Sequence, residues 1–335
     1  MARLWALVST LLGITVIAFF VIRVAPGDPV MMMIGERGAD PQQYQEAVSR
    51  LGFDKPLIEQ YLVFVSRAVQ GDFGTSVVSG REVASELLDR WPATIELGLA
   101  ALLVALLIGV PAGVTAAIHR GSLIDRLLTA GSLVGSSMPS FWLGLLMILI
   151  FSVGLNVAPV SGRLDVAFDV SPVTGFMLID TLLPAARAEY GLRAFIDALH
   201  HLLLPTLTIC AIPVAVFARM TRASMIEVLS EDYIQTAYAK GLSTTRVICL
   251  HALRNALMPI ITVIGLFFLS VAIAGAILTE TIFGWPGIGS YIVSSVYARD
   301  YPVIQGSILV IGVLVILTNG VVDLLYRVAN PRMRT

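Results

Sequence analysis

Apolar residues gather along this chain in six long runs, near residues 5–24, 95–118, 127–155, 202–218, 257–282 and 303–325, and the stretches between them carry most of the charge. About 20 apolar residues wound as a helix cross the roughly 30 Å of bilayer hydrocarbon, and a helix bonds its own backbone where no water can. The pattern predicts an all-α membrane protein with six transmembrane helices, and the even number puts both termini on one side. The first run is longer than a signal-peptide core and lacks a small-x-small cleavage site, so it reads as a retained span.

Of the five segments between the runs, two outer ones and one inner one are long. From residue 27 to 94 the pattern predicts a small helical region. Asp40-Pro41 opens one helix with Tyr44, Ala47, Val48 and Leu51 on a face; Tyr61, Leu62, Val65 and Val69 mark a second; Val83, Leu87, Leu88 and Trp91 mark a third that runs into the second span. The other outer loop, near 156–200, contains Val160-Ser161-Gly162-Arg163 and Thr174 to Thr181, which could line an external mouth or simply join two spans.

The inner segment carries the clearest local signal. In Ser230 to Gly241, Ser230 suits an N-cap, Glu231 and Asp232 complement the positive helix start, Lys240 complements the end, and Gly241 suits the left-handed position that stops a helix. Ser243 can cap a following helix through Val247, His251, Arg254 and Asn255 into the fifth span. Two helices joined at a glycine corner and fixed to a span make a lever.

Composition agrees with the bilayer reading. Hydrophobic residues make up 57% and charged residues 13% of the chain, where a soluble domain carries about 25% charged residues; mean hydropathy is +0.85. Net charge is −1, which leaves no basic footprint for nucleic acid. Arg3, Arg120, Arg126, Arg219, Arg222, Lys240, Arg246, Arg254, Arg327, Arg332 and Arg334 fall in short segments on one side, which the positive-inside rule makes cytoplasmic.

Gly109, Pro111, Gly113, Gly131, Gly135, Pro139, Pro205 and Pro213 lie inside spans and predict close helix approach and broken, movable helices. Glu96, Glu280 and Asp323 sit near span ends, where interfacial water can serve them, so no buried acid marks a proton or sodium path. Cys210 and Cys249 form neither a disulfide framework nor a zinc pattern. Ser136-Ser137 and His200-His201 lack the spacing of a hydrolase or metal site, and no Gly-x-x-x-x-Gly-Lys-Ser/Thr loop is present to hold nucleotide. No catalytic residue is expected.

Tyr233-Ile234-Gln235-Thr236-Ala237-Tyr238-Ala239-Lys240-Gly241-Leu242 and His251-Ala252-Leu253-Arg254-Asn255-Ala256-Leu257-Met258-Pro259 resemble the cytoplasmic loop of permeases of the dipeptide/oligopeptide ABC importer family. The resemblance extends to Pro26-Gly27-Asp28-Pro29-Val30, Gly71-Asp72-Phe73-Gly74, Glu280 to Gly289, Asp323-Leu324-Leu325-Tyr326 and Asn330-Pro331-Arg332, in the same order. The second outer loop resembles that of the first permease subunit of dipeptide importers. The general importer motif begins Glu-Ala-Ala, whereas this chain has Gln235-Thr236-Ala237, a drift that peptide-type permeases share.

The resemblance implies an ATP-driven importer of dipeptides or short peptides in the bacterial inner membrane, with oligopeptide, glutathione or nickel as the family's other cargoes. It divides the chain into a first span (1–26), a periplasmic helical region (27–94) and a permease domain (95–335) with a coupling loop at 219–256. Its implied partners are a second homologous permease, two cytoplasmic ATPases that bind the ATP and Mg, and an outer solute-binding protein; this chain itself needs no cofactor. Glu231, Asp232, Ala237, Lys240, Gly241 and Leu242 would couple to the ATPase. Phe283, Trp285, Pro286, Gly287, Gly289, Arg163 and Asp180 would face the binding protein or the external mouth.

Overall fold

A computed structural model describes residues 2–24, 30–31, 40–257, 260–261, 263–265, 267 and 276–329. Pro26 to Pro29, Met258-Pro259, Asn330 to Arg334, the side chain of Asp323 and much of the expected fifth span lie outside the described residues. The described chain is mostly helical, with one isolated antiparallel bridge, Thr75 to Glu82. The helices are α1 (Ala2–Val24), α2 (Pro41–Leu51), α3 (Leu57–Val69), α4 (Val83–Ile118), α5 (Leu123–Ser137), α6 (Ser140–Met147), α7 (Met177–Asp180), α8 (Pro184–Tyr190), α9 (Arg193–Leu229), α10 (Asp232–Ala239), α11 (Thr244–Arg246), α12 (Leu253–Ala256), α13 (Ala276–Ile282), α14 (Ile288–Tyr297) and α15 (Tyr301–Ala329). Seven-residue and six-residue π-helical turns, Ile148–Gly154 and Val247–Ala252, continue α6 and α11.

Among the described residues three helices are long and apolar enough to cross a membrane: α4, α9 and α15 over Tyr301–Gly320. A fourth span results if α5 and the helix Ser140–Gly154, bent by 100° at Met138-Pro139, count as one. The apolar part of α1, Val8–Val24, is shorter. The prolines divide unequally. Pro139 breaks its span, but Pro205 and Pro213 stay inside a continuous 37-residue α9, against the expected break. Both are buried, and the packing around them holds the helix together where their own hydrogen bonds are missing.

The residues divide into two compact units, Met1–Pro92 with Pro286–Leu317, and Ala93–Trp285 with Thr318–Thr335. In the first, Phe19 of α1 meets Tyr61 edge-on at 5.3 Å, and Thr15 shares a 2.8 Å hydrogen bond with the Tyr61 hydroxyl. Val83, Leu87, Ile288 and Val303 form the core beside it. Buried Asp300 accepts from Ser76 Oγ at 2.5 Å and from the backbone of Val77 and Val78, which fixes the loop after Gly74. Buried Glu86 accepts from the Tyr291 hydroxyl. Burial, reinforced by that carboxylate, pushes the Tyr291 phenol well above its ordinary range.

In the second unit α9 is the central pillar. Ala93, Leu97, Ala101 and Ala105 recur every four residues on α4 and pack on Leu202, Ile209, Cys210 and Phe217 of α9. Gly109 and Gly113 continue that seam: an added Cβ would stand 2.8 Å from the Val214 carbonyl at one and 2.5 Å from the Ala218 carbonyl at the other. Small residues let helices approach this closely where lipid supplies no hydrophobic drive. The expected approach at Gly131 is absent, with nothing within 4 Å, and Gly135 makes only ordinary contact with Ala211.

Candidate functional site

The inner loop is built from a helix stop, a corner and a second helix. Glu231, with extended backbone, precedes α10 and makes no side-chain cap bond. Ser230, expected to open this helix, instead closes α9, its hydroxyl donating to the Glu227 carbonyl at 2.6 Å. The two helices abut too closely for the serine to serve the next one. Asp232 lies in the first turn of α10, where its charge complements the helix dipole.

At the other end Gly241 has φ +79°. Its N–H bonds to the Tyr238 carbonyl at 2.9 Å, and the Leu242 N–H bonds to the Ala237 carbonyl at 3.3 Å. These paired bonds make a Schellman stop, completed by an apolar contact between the residues flanking the corner. Ala237 is buried and Leu242 half-buried in one cluster with Ile234, Val247, Ile248, Ala252, Ala256, Met225 of α9 and Ala117 of α4. Ser243 occupies the cap position of the next helix without a side-chain cap bond.

The expected coupling residues therefore separate by role. Ala237 and Leu242 anchor the helix on its own chain, and Gly241 sets the corner. Glu231, Asp232 and Lys240 are exposed, as are Tyr233 and Tyr238. Sequence reasoning missed the two tyrosines as surface residues, although inward Ile234 and Ala237, three apart, turn them outward. The Tyr233 hydroxyl accepts from Asn255 Nδ2 at 2.7 Å, tying α10 to α12.

The same reading missed Asp125 and Arg222, 97 residues apart and without a local signal. Arg222 grips the Asp125 carboxylate with Nε at 2.6 Å and Nη2 at 2.8 Å, and the Gly121 N–H adds a bond at 2.9 Å.

Most residues expected at the external mouth are spent inside the chain. Phe283, Trp285, Gly287, Gly289 and Asp180 are buried, and Pro286 is exposed. Asp180 accepts from the Thr174 N–H at 2.9 Å, the Thr174 hydroxyl at 2.7 Å and the Gly175 N–H at 2.9 Å, shaping its own loop. Arg163 donates to Glu96 at 2.5 Å and to the Gly175 carbonyl at 3.0 Å, and its guanidinium faces the Trp285 ring at 5.4 Å. Trp285 Nε1 donates to the Ala93 carbonyl at 2.9 Å.

Glu96 and Glu280 do not reach interfacial water. Both are buried; Glu96 pairs with Arg163 and accepts from the Leu178 N–H at 2.8 Å, and Glu280 accepts from the Thr94 hydroxyl at 2.7 Å. Buried carboxylates demand such partners. His201 Nδ1 lies 3.2 Å from Asp197, and among the described residues no group of three His, Cys, Asp or Glu could hold a metal. Cys210 and Cys249 are free thiols.

The family profile described as "Binding-protein-dependent transport system inner membrane component" matches residues 109–335, and its N-terminal companion matches residues 1–98. The chain is 54% identical to the di/tripeptide transport system permease protein DppB of Pseudomonas aeruginosa, over 99% of this chain and 97% of the relative. It is 49% identical to the dipeptide transport system permease protein DppB of Escherichia coli K12, over 99% and 97%. It is 40% identical to the glutathione transport system permease protein GsiC of Escherichia coli O1:K1, again over 99% and 97%. A chain of the MetNI methionine ABC transporter in an inward-facing form shares the fold, with TM-score 0.52 and 18% identity over 73% of this chain and 96% of that one. The chain belongs to the family of binding-protein-dependent transport system inner membrane components, as a permease subunit of an ABC importer.

Proposed function

We propose that this permease imports dipeptides and forms half of the translocation path, with a second, homologous permease supplying the other half. Its six spans leave both termini in the cytoplasm, with 27–94 as an outer helical region and 95–335 as the permease domain. Two ATPases, which bind the ATP and Mg, engage α10 from the cytoplasm, and a periplasmic or extracellular solute-binding protein delivers peptide from outside.

The observation that carries the coupling assignment is the Schellman-stopped α10, packed by Ile234, Ala237 and Leu242 onto the ends of α4 and α9. A short helix so anchored moves only with those spans, while Asp232, Tyr233, Tyr238 and Lys240 remain exposed for contact with an ATPase. Tyrosine is a favoured anchor at protein interfaces. ATP binding then biases two arrangements of the spans. Identity of 54% to a di/tripeptide permease supports the cargo.

The test is co-expression with the genomically adjacent transport subunits and reconstitution in liposomes, comparing dipeptide, longer peptides, glutathione and nickel. Dipeptide-stimulated hydrolysis that depends on the ATPases and collapses in Gly241→Pro, with the assembly intact, is the expected result. Proline forbids the positive φ and removes the N–H bonded to Tyr238. Peptide movement without the ATPases, or full coupling in the variant, refutes the mechanism; preference for glutathione or another cargo refutes the substrate assignment alone.

A further inference from the structure

α3 is anchored to α1 at a depth that a helix outside the bilayer would not reach. Between Arg3 and Arg23, α1 carries nineteen residues without a charge, enough to cross the hydrocarbon at about 1.5 Å per residue. Thr15 stands twelve residues, about 18 Å, beyond Arg3 and eight residues, about 12 Å, short of Arg23, well inside that layer. There it shares its 2.8 Å hydrogen bond with the Tyr61 hydroxyl of α3. One turn nearer the outer end, the Phe19 ring meets Tyr61 at 5.3 Å and Phe64 at 5.8 Å, and one turn further Arg23 donates to Gln60 Oε1. The deepest polar atoms satisfy one another: the Thr15 hydroxyl donates to the Leu12 carbonyl at 2.9 Å, which leaves Tyr61 as the donor to Thr15, and neither group requires water.

The remaining surface of α3 is divided. Gln60, Val63 and Arg67 line a cavity of about 750 Å³ together with Arg23, Asp72 and Gln305. Ile58, Leu62, Val65 and Val69, spaced four, three and four apart, form a stripe on the opposite side of the helix. Ile58, Leu62 and Val69 are 74%, 60% and 82% exposed, and no residue of α3 is buried. A bare apolar stripe of this kind marks a protein or membrane contact, and the depth of Thr15 decides for the membrane. At 13 residues α3 is about 20 Å long, too short to cross. Asp54-Lys55 before it and Gln70 to Asp72 after it are polar, so both ends belong among headgroups and the helix lies along the surface.

We propose that α3 is an interfacial helix of the outer leaflet, with Ile58, Leu62, Val65 and Val69 against lipid acyl chains and the cavity on its other side closed off from lipid. Such helices sink about 5–10 Å into the boundary between headgroups and chains. The proposal rests on α1 being a transmembrane span.

The test uses the complete assembly reconstituted in liposomes. A phospholipid with a photoreactive diazirine in its acyl chain is activated on the wild type, and adducts within residues 58–69 are expected by mass spectrometry. Nitroxide labels at Ile58→Cys, Leu62→Cys and Val69→Cys, in a chain carrying Cys210→Ala and Cys249→Ala, should show an oxygen-to-nickel-chelate accessibility ratio severalfold above that at Glu59→Cys. A stripe reached mainly by the water-soluble nickel chelate, or shielded from both reagents by a partner protein, overturns the proposal, as does an α3 without acyl-chain adducts while α1 acquires them. Ile17→Cys, on the exposed side of α1, separates the premise from the proposal: nickel access at Ile17 defeats the span itself, whereas oxygen access there with nickel access at Leu62 defeats only the placement of α3.

Discussion

Replacing Gly113 by alanine sets helix propensity against packing. In a helix interior alanine is better than glycine by about 0.5–1 kcal/mol, because glycine loses more backbone freedom on folding. At Gly113 the added Cβ stands 2.5 Å from the Ala218 carbonyl, 2.5 Å from Thr221 Cβ and 3.0 Å from the Arg222 N–H nitrogen. Comfortable contact needs about 3.5 Å, so α4 and α9 must part by roughly 1 Å, and a gap of that size forfeits a quarter to a half of each contact along the seam. Two of the three obstacles are backbone and cannot rotate away. Overpacking of this kind costs about 1–3 kcal/mol, which at mid-range leaves a net loss of about 1 kcal/mol once propensity is subtracted. Gly131→Ala is the control: nothing lies within 4 Å of its added Cβ, so propensity alone acts and the variant is neutral or slightly stabilised. Apparent melting temperature in detergent, compared at one scan rate because such unfolding is commonly irreversible, reads the sign. The expected fall for Gly113→Ala is several degrees, at about 2–4 °C per kcal/mol. Equal or raised stability in Gly113→Ala refutes the close-approach argument.

A further prediction concerns charge. Arg163→Met leaves Glu96 buried without its cation, so it destabilises by about 3–5 kcal/mol, whereas adding Glu96→Gln restores much of the loss; thermal unfolding of both variants decides, and a double variant no better than the single refutes the pair's role.

The helical class and the long spans were legible because bilayer solvation imposes long apolar runs whatever the neighbours are. The run 95–118 joined to the Val83 helix as the spacing predicted, and Gly241 took the left-handed corner that only its missing side chain makes easy. What failed was whatever depends on a distant partner. Glu96 and Glu280 read as interfacial acids because nothing local discloses Arg163 or Thr94. The Asp125–Arg222 grip and the two π-turns were hidden for the same reason. Pro139 broke its helix and Pro205 did not, a contrast decided by the packing around each proline. Phe283 and Trp285 lay in a motif that reads as an external mouth, yet their bulk fills the interior.

The continuity of α9 also limits which sequence changes the fold can absorb. Along an unbroken helix each inserted residue advances everything after it by about 100° and 1.5 Å. One extra residue between His201 and Met225 would swing Arg222 away from Asp125 and turn the inward face of α10 outward, although no side chain had been altered. Seven extra residues, close to two full turns, would nearly restore the phase while lengthening the pillar. Length in this helix is thus a specification of angle, and it should tolerate substitution far better than insertion or deletion, the reverse of what a surface loop tolerates.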